Sequence, residues 1–233
     1  MLDVGFMIEI LPRLINPLKV TLMVSLISLT LGTFFGVSLG MIWIASAPRS
    51  IPRLLLNGYV WLVRGTPIII QIYIAFFLLP KVGLNLGVFW VGVAALTFNS
   101  VGYQIEIVRA AIASIHKGQW EAAESIGMTR KMTFFWIILP QSVRRMLPPL
   151  TNELTNLVKA SSVLSVISLF ELTKAGDAII ASSFKFAEVL LLLSVLYFSI
   201  IQALSWVTKY LENEVFNFEK SDLILTKSLG TET

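Results

Sequence analysis

The sequence predicts an all-α, polytopic membrane protein: five transmembrane helices, with a cytoplasmic helix–turn–helix elbow between the third and the fourth. Three observations predict it. Hydrophobic residues make up 56% of the 233 and charged residues only 14%, with a mean hydropathy of +0.80; soluble domains run at about 45–50% and about 25%. Uncharged runs reach the roughly 20 residues that an α-helix needs to cross about 30 Å of hydrocarbon. The cations flank those runs, as membrane topology requires, and form no basic patch on a polar fold. Membrane lipid is therefore an expected partner and nucleic acid is not.

The first span is placed at about residues 20–45, inside Val20–Pro48, which is 29 residues without a charge. A stretch of nearly twenty more polar residues precedes it. The N-terminus is not read as a cleavable signal. Ala45-Ser46-Ala47 looks like a cleavage site, but the uncharged run before it far exceeds an h-region of about 7–15 residues. The second span, about 54–80, holds a single charge, Arg64. The third, about 84–106, falls in the uncharged run Val82–Ile105. The fourth, about 148–170, opens on Pro148-Pro149, which suit a first helical turn, and contains Glu153 and Lys159. The fifth, about 188–210, surrounds the 20 uncharged residues Val189–Thr208. Met132–Pro140 is too short to cross and ends in Pro, so it reads as a helix at the membrane surface. Residues 1–215 form one transmembrane domain and 216–233 a polar cytoplasmic tail. The connections at 81–87 and 171–188 are too short to be domains.

Five spans put the termini on opposite sides. With the N-terminus outside, eleven Lys and Arg fall on inside segments and five on outside ones. That excess favours an N-out, C-in orientation in a cytoplasmic membrane.

Cysteine is absent and His116 is the single histidine, so neither a multi-His nor a thiolate metal site is expected. No Ser/His pair, paired Asp or H-E-x-x-H lies in the spans, so no catalytic residue is expected. No G-x-x-x-x-G-K-[ST] phosphate loop occurs, so this chain is not itself an ATPase. The one long inside segment, with its loop at 114–140, is rich in charge and helix formers. Glu121-Ala122-Ala123-Glu124-Ser125-Ile126 favours helix, its alanines admit a close neighbour, and Gly127 can take a positive φ and end it. A second, apolar helix follows from Met132. The residues alone fit either a docking elbow or a solvated amphipathic loop.

Glu121, Ala122, Ala123, Gly127, Ile137, Leu139 and Pro140 occupy every fixed position of the pattern E-A-A, three residues, G, nine residues, I-x-L-P. That pattern resembles the EAA motif of ATP-binding-cassette (ABC) importer permeases. Arg64-Gly65-Thr66-Pro67, Glu106 to Ile112, Gly118-Gln119 and Leu147 to Lys159 are similar to the polar amino-acid branch. The likeness covers about residues 15–215. It implies a five-helix permease subunit of an amino-acid ABC transporter, working as a homo- or heterodimer with a second copy or a paralogue. It implies an EAA loop docked in a groove of a cytoplasmic ABC ATPase subunit, which binds the ATP, so that this chain needs no cofactor. A separate extracytoplasmic amino-acid-binding protein delivers the substrate. Glu121 and Gly127 carry over as coupling residues.

Ionisable groups within a span mark a pathway or a partner. Asn152, Asn156 and Lys159 fall at i, i+4 and i+7 on one helical face, with Glu153 beside them and Ser161 and Ser162 adding hydroxyls. Lys159 could meet an amino-acid carboxylate and Glu153 an ammonium; alternatively these groups tie helices together or Lys159 snorkels. Asn99 and Gln71 could line the same cavity or bridge two helices. Arg64, Gly65 and Pro67 read as a helix break, either a gate or a kink. Glu106 and Arg109, at i and i+3, can pair. The function expected is ATP-driven import of a polar amino acid by alternating access; the alternative is an ion-coupled secondary carrier.

Overall fold

The computed structural model describes residues 2–210, and every regular element among them is helical. The predicted tail at 216–233 lies outside the described residues.

The first helix, α1 (Val4–Ala45), runs 42 residues and so starts well before the predicted span. Its N-terminus is capped by the Asp3 carboxylate, which accepts from the Phe6 N–H at 2.9 Å. The stretch that reads as polar is amphipathic. Ile10 and Leu14 are buried, while Glu9 and Arg13 pair on the exposed side at 3.6 Å. Burial of that apolar stripe carries the helix through Pro12 and Pro17, whose missing donors would otherwise weaken it.

The predicted second span is two helices, α2 (Ile51–Gly65) and α3 (Ile68–Leu78), bent by 109° at Thr66-Pro67. A single 3₁₀ turn, Pro80–Val82, leads into α4 (Val88–Ala113), the most buried long helix. The α5 helix (Lys117–Ser125) follows. Then α6 (Arg130–Thr133), a π turn (Phe134–Ile138) and α7 (Leu139–Ser161) run on as one continuous rod.

Three prolines sit deeper in helix than their local sequence suggests. Pro140 does not end the apolar helix; it sits in the first turn of α7. The preceding π turn, closed by the Leu139 N–H on the Phe134 carbonyl, changes the register where Pro140 has no N–H to give. Pro148 and Pro149 lie inside α7 and do not begin it. The end of the predicted fourth span is a 3₁₀ segment, Ser162–Ile167, and the connection at 171–188 contains a further helix, α8 (Leu172–Ser183). The last helix is α9 (Phe186–Tyr210).

Among the described residues, α1, α4 and α9 are each long and apolar enough to cross a membrane, and α2 with α3 would make one bent crossing. The α7 helix also reaches that length, but it carries Arg144, Arg145, Glu153 and Lys159.

The α1 and α4 helices pack along a seam of small residues. Ser25, Ser28, Gly32, Gly36 and Gly40 are all buried, spaced three or four apart. A methyl group on Gly36 would lie 2.5 Å from Gln104 Cβ, so the backbones meet where no side chain fits. At the far end, Ile10 and Leu14 of α1 pack on Leu172, Ala175 and Ile180 of α8 and Val189, Leu192 and Leu193 of α9. Asp3 bonds Lys185 there at 2.5 Å. That bond, with the Phe6 N–H, holds the Asp3 carboxyl below its ordinary pKa.

Candidate functional site

The elbow is built by local rules. His116 caps α5, its Nδ1 accepting from the Gly118 N–H at 3.1 Å. At the other end Gly127 takes φ +80°. Its N–H donates to the Glu124 carbonyl at 3.0 Å, and the Met128 N–H donates to the Ala123 carbonyl at 3.0 Å. This is the paired-bond stop that a left-handed residue permits. Thr129 then caps α6 by accepting from the Met132 N–H. Of the motif residues, Ala123 is buried against the chain itself, and Glu121, Ala122 and Gly127 are exposed. Ile126 is 78% exposed, an apolar side chain at the tip of the bend. Ile137 lies in the π turn, and Leu139 and Pro140 start α7.

Two straps fix the elbow to the helix rod. Gln141 Nε2 donates to the Ile137 carbonyl at 2.8 Å and to Gln119 of α5 at 3.4 Å. Arg145 donates to the carbonyl and hydroxyl of Ser114, at 2.7 and 3.0 Å. Sequence reasoning missed His116, Gln141 and Arg145 in these roles, since none of them sits at a spacing that signals a cap or a strap.

Beside the straps, a cleft of about 640 Å³ opens between α2, α4 and α7. Its polar lining includes Arg64, Tyr103, Glu106, Asn152, Glu153 and Asn156. Glu106 accepts from Arg109 at 2.6 Å, the pairing expected from their spacing, and Arg64 lies 3.9 Å from the same oxygen. Arg109 and Arg53 also stack on the Trp43 ring, with guanidinium carbons 4.2 and 3.7 Å from its centroid.

The α7 face falls as the spacing predicts. Asn152, Asn156 and Lys159 are exposed, and among the described residues Lys159 forms no ion pair. Glu153 is buried at 6% exposure on the edge of the cleft. The remaining pathway candidates fall elsewhere. Ser161 and Ser162 bond carbonyls of their own helix, at Val158 and Lys159. Gln71 and Asn99 are buried and hold the break instead of lining the cleft. Gln71 Nε2 donates to the Val63 carbonyl at 3.0 Å and to Thr66, and Asn99 donates to Gln71 Oε1 at 3.0 Å. The bend frees backbone carbonyls inside an apolar core, and these two amides supply the donors. Gly65 and Pro67 flank that bend directly.

A second buried polar knot lies at the opposite end of the fold and was not foreseen. Glu171, fully buried, caps α8 by accepting from the Thr173 and Lys174 N–H groups at 3.0 and 2.8 Å. Its carboxylate also accepts from Tyr197 of α9 at 3.1 Å and Thr21 of α1 at 3.3 Å. A lone Glu flanked by apolar runs was the available signal.

Residues 32–217 match the family described as binding-protein-dependent transport system inner membrane component. The chain is 35% identical over 212 residues to the glutamine transport system permease protein GlnP of Escherichia coli, covering 88% of this chain and 94% of that one. It is 30% identical over 224 residues to the arginine transport system permease protein ArtQ of Bacillus subtilis, covering 92% and 97%. The fold superposes on a crystal structure of an amino acid ABC transporter with histidines, with a TM-score of 0.86, 30% identity and coverage of 91% and 99%. A MetNI methionine ABC transporter chain shares the fold at a TM-score of 0.74 and 20% identity.

Proposed function

The chain belongs to the family of binding-protein-dependent transport system inner membrane components, and from that premise we propose that it forms the membrane pathway of an ABC importer for a polar amino acid. The family are transporter components, not enzymes, and their ATPase is a separate subunit. That membership favours ATP-driven import over an ion-coupled carrier.

One observation carries the mechanism: the elbow presents Glu121 and Ala122 of α5 and Ile126 at its bend outward, and its entry, at Ser114 and Gln119, is strapped to α7 by Arg145 and Gln141. A partner gripping that bend moves the whole α7 rod, because the straps leave little slack between grip and helix. In this reading a cytoplasmic ATPase pair closes on ATP and draws the elbows of two permease subunits together. The α7 rods swing, the cleft closes and the outer side opens to a loaded binding protein; hydrolysis reverses the motion. Coupling arises because the partners bind the two conformations with different affinity.

The substrate is expected to pass along the exposed α7 face. Glu153, at the edge of the cleft, suits an ammonium, and Asn152 and Asn156 offer hydrogen bonds. Lys159, a turn further from the elbow, suits a carboxylate. The elbow faces the cytoplasm and the Asp3–Lys185 end faces outward, in keeping with the excess of Lys and Arg on the elbow side.

The test is uptake into proteoliposomes that hold the assembled transporter. ATP-dependent uptake with no response to an imposed proton or sodium gradient is the expected result. Glu121→Lys is expected to abolish uptake and weaken ATPase association while leaving membrane insertion unchanged. Full association and uptake in that variant would refute the coupling assignment.

A further inference from the structure

The elbow has a second face that coupling does not use. Trp120, Glu124 and Met128 turn back toward the end of α1 and enclose with it a groove of about 1100 Å³. Met41 and Ile42 of α1 form one apolar wall, Phe134 and Phe135 the other, and Arg130 and Lys131 stand among the lining residues. We propose that this groove binds an anionic phospholipid of the cytoplasmic leaflet, its chains between the apolar walls and its phosphate held by Arg130 and Lys131.

Three features select that occupant. The walls belong to a helix long and apolar enough to cross the membrane and to the aromatic segment after the elbow. In that segment Phe135 is 57% and Trp136 77% exposed, as suits the boundary between hydrocarbon and headgroups. Both cations are exposed, and among the described residues neither forms an ion pair. Glu124 is the one carboxylate in the lining, so the ionisable groups there keep a net positive charge. A purely apolar ligand would leave two cations without a counter-charge, and a soluble anion would leave the walls wet. An anionic amphiphile satisfies both ends, and basic recesses between helices on the cytoplasmic side are suited to such headgroups. The ligand would sit behind α5, opposite Glu121 and Ala122, and brace the elbow while the ATPase grips its front.

The site depends on the elbow lying at the cytoplasmic leaflet, not on the cargo, so lipid retention and amino-acid uptake fail separately. The assembled transporter is reconstituted in phosphatidylcholine nanodiscs with and without phosphatidylglycerol. It is then extracted in mild detergent and retained lipid is counted by native mass spectrometry. Wild type is expected to keep phosphatidylglycerol preferentially. Arg130→Gln with Lys131→Gln is expected to lose that preference severalfold. Met41→Trp, which fills the groove and leaves both cations in place, is expected to lose it as well, with ATPase subunits still bound in each case. Retention unchanged in both variants would overturn the site. Loss in the charge variant alone would reduce it to general surface attraction and overturn it too. Loss of ATPase subunits with lipid retained would assign the cations to the ATPase instead.

Discussion

Gly36 marks the closest approach of α1 and α4, and its substitution is the sharpest residue-level test of that seam. A side chain there meets Gln104 Cβ within 2.5 Å, and overpacking of this kind costs about 1–3 kcal/mol. Gly36→Leu is expected to lower the thermal midpoint of the detergent-solubilised transporter and to reduce uptake, whereas Gly58→Ala, inside α2 with open space around its Cβ position, lowers neither. Glu171 is the second such position. Removing its carboxylate leaves two N–H groups and two hydroxyls short of an acceptor, at about 1–3 kcal/mol for buried groups left unpaired. Glu171→Ala is expected to destabilise the α1–α8–α9 end in thermal unfolding, with Glu171→Gln recovering part of the loss because one oxygen remains. Neither position was legible as important from the sequence. A glycine in an apolar run and a single acid beside it acquire meaning only from what packs against them.

At the scale of elements, the break between α2 and α3 and the π turn before α7 are the two departures from regular helix. The Arg64–Pro67 stretch announces the first, since Pro67 and Gly65 disfavour helix locally. The structure adds that the break is held by Gln71 and Asn99. These two act as a unit, so Gln71→Leu and Asn99→Leu are expected to be non-additive in stability, by about 0.5–3 kcal/mol in a double-mutant cycle. The π turn gave no sequence signal beyond Pro140. It inserts extra backbone between elbow and rod, where Pro140 has no N–H to give.

For the whole molecule, the orientation prediction is unusually direct because the chain has no native cysteine. A single cysteine at Ser125 is expected to react with a membrane-impermeant maleimide only in opened vesicles, from cells that make this chain without its ATPase. One at Val82, which is 72% exposed, is expected to react in intact cells. The reverse pattern would invert the topology and remove the elbow from the reach of any cytosolic ATPase.

The sequence by itself determined that the chain is helical and membrane-embedded, where its elbow lies and where its break falls. These follow from apolar run length, helix propensity and the local chemistry of Gly and Pro, all of which act within a few residues. Only the tertiary structure decided that the polar-looking N-terminus is helix, that Gln71 and Asn99 mend the break instead of lining the cleft, and that Arg145 and Gln141 tie the elbow to α7. Whether an amide bonds a neighbour or faces a cavity depends on which distant helix lies beside it. That adjacency is set by the packing of whole faces such as the glycine seam, and no short stretch of residues encodes it.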